Sequence, residues 1–343
     1  MFSRFASRHH CVITRGVMRS TNGARMVSAM SKSTVSVPLF QVDSFSRTPF
    51  AGNPAAVCLL TASTAGTWPL PDETLLKIAE ENNLSETAFL LPMTDTSGPG
   101  PFATDSHFHL RWFTPTKEVD LCGHATLATA AVLLQKCGNK NASLHFDTKS
   151  GELIASAVPG ESAAIEIELP LNPPLPVETP SASIQTLIEL VLGADNEDTV
   201  KDIMYSKRTK KLVFELDSSL VGRHFLENLT VSPSALLSVD QTELGENSIT
   251  GVIVTLLDAT GEYDFISRYF APWNGIDEDP VTGSAHTVVS PMWTQKCNGQ
   301  TDFSARQCSP RGGDLRLRVD VEGGRLLVSG EACVVVEGTI RIE

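Results

Sequence analysis

The chain has no C-x-x-C pair, and its seven cysteines are scattered and odd in number. A disulfide framework or a cysteine-type zinc site is thereby excluded as its organising device. No run reaches the ~18 consecutive apolar residues of a membrane helix, and no signal-peptide-like apolar segment follows the N-terminus. Gly-x-Ser-x-Gly is missing, and with it the nucleophile elbow of an α/β hydrolase. Gly-x-Gly-x-x-Gly and the P-loop pattern are missing too, so no nucleotide-binding motif is present. A net charge of −13 argues against nucleic acid and anionic membrane as partners.

Acidic residues are absent from residues 1–36, which carry Arg4, Arg8, Arg15, Arg19, Arg25, Lys32 and many serines. An Arg-rich, Ser-rich, acid-free N-terminus has the composition of an organelle transit peptide, with mitochondrion ahead of plastid. The alternative is a leader without targeting function, initiation at Met26 or Met30, and a cytoplasmic protein. The remaining 307 residues have an ordinary globular composition, with length enough for two cores.

What is present is a pair of glycine turns, each opening a helix: residues 120–126 (DLCGHAT) and 278–285 (EDPVTGSA). The helix read over 125–135 is apolar all round, so a sheet must wrap it. The helix over 285–296 is similar, with Pro291 expected to kink or shorten it. Both end in Gln-Lys-Cys, and both are followed by strand-like segments, a weak internal repeat. Further strands read at 55–60, 84–91, 107–113, 212–216, 252–256, 315–319, 325–328 and 333–342, with alternation within 151–169. Amphipathic helices read at 72–82 and 184–192. The expected class is α+β, two similar lobes, each a mostly antiparallel sheet curled around one buried helix. A leader at 1–36, a first lobe at 37–150 and a second at 151–343 follow, with the last strand, about 333–343, a candidate to return to the first lobe.

A helix start offers free N–H groups and a positive dipole end. Two of them predict a clamp for a small anionic metabolite between the lobes. Glu86, at the head of a strand, is placed to be partly desolvated, as a general acid/base near neutral pH requires; a capping or surface glutamate is the alternative. His124 follows Gly123 at a helix start, where the dipole disfavours its cation. It can bond a substrate oxygen, relay a proton, or make local bonds only. Asp279 can hold a hydroxyl or amine, or cap its turn. Ser284 can donate to a carboxylate beside the N–H of Gly283, or serve as an N-cap. Cys122 fits thiol chemistry only in part: Thr282 stands where a second thiol would, and threonine is far too weak an acid to replace it. His107-x-His109 puts two imidazoles on one strand face, but no third metal ligand is evident.

With these residues in view, the chain resembles the PhzF-like (phenazine biosynthesis-like) family of the diaminopimelate epimerase fold. The matching stretches are FQVDSFSRTPFAGNPAAVCLL (40–60), IAEENNLSETAFL (78–90), LRWFTPTKEVDLCGHATLATAAVLL (110–134), SRYFAPWNGIDEDPVTGS (267–284) and CSPRGGD (308–314). The resemblance implies pseudo-symmetric lobes, a homodimer, and no cofactor or metal. It implies that Glu86 moves a proton in an isomerisation. His124, Asp279 and Ser284 fall on its other active-site positions, and Gly123 and Gly283 on its substrate-binding turns. Cys122 departs from the phenazine enzymes proper and matches epimerases of the same fold, while Thr282 speaks against two-thiol chemistry. The resemblance carries no substrate. The expected activity is a cofactor-independent isomerase of a small carboxylate-bearing metabolite. A thiol-dependent epimerase or dehydratase using Cys122, and a non-catalytic binding protein on the same fold, stand as alternatives.

Overall fold

In the computed structural model, residues 35–342 are described apart from 62–66, 95–99, 161–162, 243 and 245–247. The proposed targeting segment lies outside the described residues, except that the first strand, Val35–Ser44, already includes the last two positions assigned to the leader.

Alternating side chains set the strands. In His107–Phe113, Phe108, Leu110 and Trp112 are buried while His109 and Arg111 are only half-buried, so one face packs inward and the other meets solvent. Among the described residues the strands join in one seventeen-stranded sheet whose pairing repeats itself. In the first half, Asn53–Leu59 runs parallel to Glu86–Pro92, which pairs antiparallel with His107–Phe113. That strand runs parallel to Ser143–Thr148, followed by antiparallel Gly151–Ala157 and Ala164–Pro170. In the second half, Lys211–Leu216, Gly251–Leu257, Phe265–Ala271, Asp302–Gln307, Gly313–Asp320 and Arg325–Ile342 pair in the same succession of senses. The faint repeat of the sequence is thus a full duplication of strand topology.

The two strands read at 325–328 and 333–342 are one, Arg325–Ile342. Residues 325–331 pair with Ala164–Pro170, and residues 332–342 pair with Val35–Ser44. One strand therefore belongs to both halves and ties them together.

All nine residues of the helix Gly123–Ala131 are buried. It begins two residues earlier than read and passes into a wider turn, in which Cys137 N–H donates to Val132 O at 3.0 Å. The helix Gly283–Lys296 likewise starts two residues early and runs through Pro291 to Lys296, so the proline does not shorten it. A proline at this place strands the carbonyl four residues back. That carbonyl belongs to Thr287 and accepts instead from Asn172 N–H at 3.0 Å, while Asn172 Nδ2 donates to Thr287 Oγ1 at 2.9 Å. Both central helices share one continuous apolar core, which includes Leu127, Val132, Val288 and Trp293. Two outer clusters flank it, one under the helix Asp72–Asn82 and one under Ala182–Leu192. Among the described residues, no helix is long and apolar enough to cross a membrane.

Candidate active site

The two glycine turns meet. A Cβ placed on Gly123 would lie 3.7 Å from the Cα of Gly283, and one on Gly283 would lie 3.3 Å from a Leu169 methyl. Neither glycine has a left-handed φ, so close approach and not backbone freedom is what calls for glycine here. The N–H groups at a helix start lack intrahelical acceptors; here those of Gly123, His124, Gly283 and Ser284 stand at the junction, whereas Ala285 N–H already donates to Thr282 O at 3.2 Å.

Glu86 reaches this junction from the first half. The helix Asp72–Asn82 ends on Asn83 in the left-handed region (φ +47°), whose N–H donates to Ala79 O. Asn82 Nδ2 then donates to Thr87 Oγ1 at 3.1 Å, so the chain turns at once into the buried strand Glu86–Pro92. Glu86 is 8% exposed. Its Oε2 has no hydrogen-bond partner, although His124 Nε2 stands 3.2 Å away. Burial pushes the carboxyl up to about 8, and the charge of Asp279 adds to this; hydrogen bonds from Ser85 and Cys122 oppose it.

His124 is held at about 3 by burial and is neutral at pH 7. Its Nε2 is 3.2 Å from Ser85 Oγ and its Nδ1 is 3.4 Å from Cys122 Sγ. Its bonds are therefore not only local. Burial, then the charge of Glu86, pushes the Cys122 thiol well above 9, so it stands as a packed thiol and not a thiolate.

Asp279 enters from the second half. Burial pushes it up to about 6, against hydrogen bonds from Thr282 and Asn53 that favour its charged form. Thr282 Oγ1 donates to Oδ2 at 2.5 Å and Asn53 Nδ2 to Oδ1 at 2.7 Å. At pH 7 Glu86 is mostly protonated and Asp279 mostly ionised, two carboxyl groups set apart by their surroundings. Ser284 is half-buried in the first turn of its helix. The N-cap is Thr282, without a side-chain cap bond, so Ser284 is not the cap that the alternative reading required.

The junction thus brings together Glu86, His124, Asp279 and the two glycine turns. Three supporting residues escape a reading of the sequence alone. Asn53 is fully buried and spans the halves. Ser85 Oγ donates to Pro54 O at 3.1 Å and lies beside His124. Gln307 Oε1 accepts from Thr282 N–H at 2.8 Å, and its Nε2 donates to Asp279 O at 2.5 Å. Asn53 sits in the Gly-Asn-Pro turn and Ser85 in Ser-Glu-Thr, so both lie inside the family-like stretches; Gln307 stands just before one.

Among the described residues, two groups of side chains offer three metal-ligand atoms each within 4.8 Å of one another: Glu86, Cys122 and His124, and His107, His145 and Glu152. In the second group His107 gathers with His145 and Glu152, which spacing within its own strand does not reveal. Ladder register sets His107 against His145, with rings stacked 4.5 Å apart, while His109 pairs with Asp147.

A family model described as phenazine biosynthesis-like protein matches residues 42–338. The chain belongs to this family. It is 45% identical over 308 residues to a phenazine biosynthesis-like domain-containing protein of Homo sapiens, covering 89% of this chain and 99% of that one. It is 40% identical to a protein of Pseudomonas aeruginosa named as an uncharacterized isomerase, covering 89% and 98%. A solved PhzF-family structure from Enterococcus faecalis superposes with a TM-score of 0.72 at 34% identity, covering 90% of this chain and 100% of that one. A predicted epimerase from Pseudomonas aeruginosa shares the fold at 20% identity, with a TM-score of 0.60. This phenazine biosynthesis-like chain has the α+β, epimerase-like fold expected of it, and family and fold together support an enzyme of isomerase or epimerase type.

Proposed function

We propose that this protein is a cofactor-independent isomerase that moves a proton on a small carboxylate-bearing metabolite, with Glu86 as the acid/base. The observation that carries this reading is the Glu86 carboxyl: buried, raised to about 8, with Oε2 unsatisfied beside a neutral imidazole.

The substrate carboxylate docks at the two helix starts, on N–H groups of Gly123, His124, Gly283 and Ser284, with the Ser284 hydroxyl as a further donor. Glu86, in its ionised form, takes a proton from the carbon that the bound carboxylate and its neighbours activate. It returns the proton at another carbon on the same face of the intermediate. One residue serves both steps while the intermediate stays in place. A carboxylate of raised pKa is the stronger base, and its protonated form is abundant at pH 7 for the return step. Neutral His124 bonds the developing oxyanion or relays the proton. Asp279, fixed by Asn53 and Thr282, holds a substrate hydroxyl or amine. Positioning and anion stabilisation supply most of the rate.

Thiol chemistry finds less support. Cys122 is held protonated, and Thr282 is engaged with Asp279. The same reading has the protein act as a homodimer, with a leader that directs it to the mitochondrion.

The test is turnover. Ligands are found by thermal-shift screening of carboxylate-bearing metabolites, and Glu86→Gln is assayed on those that wild type converts. Loss of turnover with binding retained supports the role of Glu86, and full turnover overturns it.

A further inference from the structure

The duplication of strand topology gives Glu86 a counterpart. In the first half, the parallel ladder begins with Ala55 opposite Glu86. In the second half, the equivalent ladder begins with Lys211 opposite Gly251. The place of Glu86 is thus taken by a glycine, and the place of Ala55 by a lysine. Gly251 has a reason. A Cβ there would fall 2.4 Å from Cε2 and 2.5 Å from the hydroxyl of Tyr269, so the ring of Tyr269 occupies the space that a side chain would need.

Lys211 points toward the junction. On its strand, Leu212, Phe214 and Leu216 pack into the outer cluster, while Val213 faces the central core. Glu215, on the Val213 side, meets Lys296 at the last turn of the helix Gly283–Lys296, Oε2 to Nζ 2.6 Å. Lys211 is on that same face, about 13 Å back along the strand at ~3.3 Å per residue. That places it toward the helix's first turn, where Gly283 and Ser284 stand, and it feels the charge of Asp279.

The ammonium is poorly satisfied there. Lys211 is 7% exposed. Among the described residues no hydrogen bond or ion pair reaches it, and the Tyr269 ring stands beside it, centroid 5.4 Å from Nζ. Both oxygens of Asp279 already accept from Asn53 and Thr282. The Tyr269 hydroxyl is buried without a well-formed hydrogen bond, its nearest polar neighbours being the side chains of Thr250 and Asn274. A nearly buried cation with no counter-charge bonded to it is costly, and an oxyanion between it and the Tyr269 hydroxyl relieves that cost.

We propose that Lys211 and the Tyr269 hydroxyl form a subsite for a second anionic group, so that this enzyme acts on dicarboxylates: one carboxylate on the helix starts, the other on Lys211. This rests on the reading of the junction as an acid-binding site. Burial holds the ammonium down at about 8, and it remains mostly charged at pH 7.

The probes are malonate, succinate and glutarate against propionate and butyrate, titrated calorimetrically at pH 7 and fixed ionic strength into the full chain. Wild type binds the best dicarboxylate on the order of tenfold more tightly than either monocarboxylate, the effect of one charge-assisted hydrogen bond set. Lys211→Met removes that preference, and Lys211→Arg retains most of it. Tyr269→Phe, which deletes only the hydroxyl, reduces the preference and serves as the test should Lys211→Met fail to fold. No dicarboxylate preference in wild type, or a preference that survives Lys211→Met, overturns the proposal. Because binding is read without turnover, Glu86→Gln with full activity would sink the proton-transfer reading and leave this result standing.

Discussion

Asn53 and Asp279, 226 positions apart, are joined by a 2.7 Å hydrogen bond in which the asparagine amide donates to Oδ1. The same amide also donates to Val281 O at 2.9 Å. One side chain from the first half therefore fixes both the acid and the approach to the glycine turn of the second. Asn53→Ala is expected to cost about 1–3 kcal/mol, since it leaves a buried carboxylate oxygen and a buried carbonyl short of a donor. Urea unfolding at pH 7 measures the loss. The Asp279 carboxyl loses a bond that favours its charged form, so it titrates above the present value of about 6.

The raised carboxyl of Glu86 has a signature in stability. Its folded pKa of about 8 lies above the ordinary 4.5, so the folded state holds the proton more firmly. That contribution is fully present below about pH 4.5 and is lost as pH rises through 8. Glu86→Gln does not titrate. The variant is therefore expected to gain on wild type steadily from pH 5 to pH 8, by on the order of 3 kcal/mol. Paired denaturation curves at pH 5 and pH 8 check the sign; an unchanged difference between the two proteins contradicts a raised carboxyl. His124 acts oppositely at low pH. Its folded pKa is depressed to about 3, so it disfavours folding progressively as pH falls from 6.5 toward 3.

Cys122 provides the test between proton transfer by Glu86 and thiol chemistry. The thiol is buried and held protonated, so iodoacetamide at pH 7 is expected to leave activity intact over the time in which an exposed thiol reacts. Cys122→Ala is expected to keep turnover and to cost about 1 kcal/mol in stability through the lost packing. Abolished turnover with an unchanged fold would make the thiol a participant.

Pro291 gives a prediction of near-neutrality. Removing a proline from a helix interior ordinarily relieves ~3 kcal/mol. Here the stranded Thr287 carbonyl already accepts from Asn172 N–H, and the new N–H of Pro291→Ala finds its acceptor occupied. The change is expected to stay within about 1 kcal/mol of wild type, read from thermal or urea unfolding. A gain near the full helix value would show that the Asn172 bond does not replace the missing one.

Much of this arrangement is legible in the chain because it rests on local rules. Strand alternation at 107–113, the acid-started helix at 72–82 and the glycine turns are all written in spacings of a few residues. Glu86, His124, Asp279 and Ser284 stand in or beside such local patterns. What stays hidden is what only packing decides. Lys211 follows Lys210 and reads as a solvated pair at a strand's edge, so spacing alone starts the strand at Leu212; burial of the ammonium depends on Tyr269 and on the missing side chain of Gly251, both remote in sequence. Local rules predict a kink or an early end at Pro291 because the rescue of that helix comes from Asn172, 115 positions before Thr287. Spacing pairs His107 with His109, whereas the parallel ladder sets it against His145.

The most direct test of proton transfer by Glu86 is turnover of a screened ligand in deuterated water, with mass spectrometry or proton NMR locating any deuterium in the product. Wild type is expected to place solvent deuterium at one product carbon in those turnovers in which the Glu86 proton exchanges before its return, and the hydrogen lost from the donor carbon at that same carbon in the others; Glu86→Gln is expected to place neither while still binding the ligand. Equal deuterium incorporation by Glu86→Gln, or wild-type product whose receiving carbon gains neither solvent deuterium nor the hydrogen lost from the donor carbon, would contradict it.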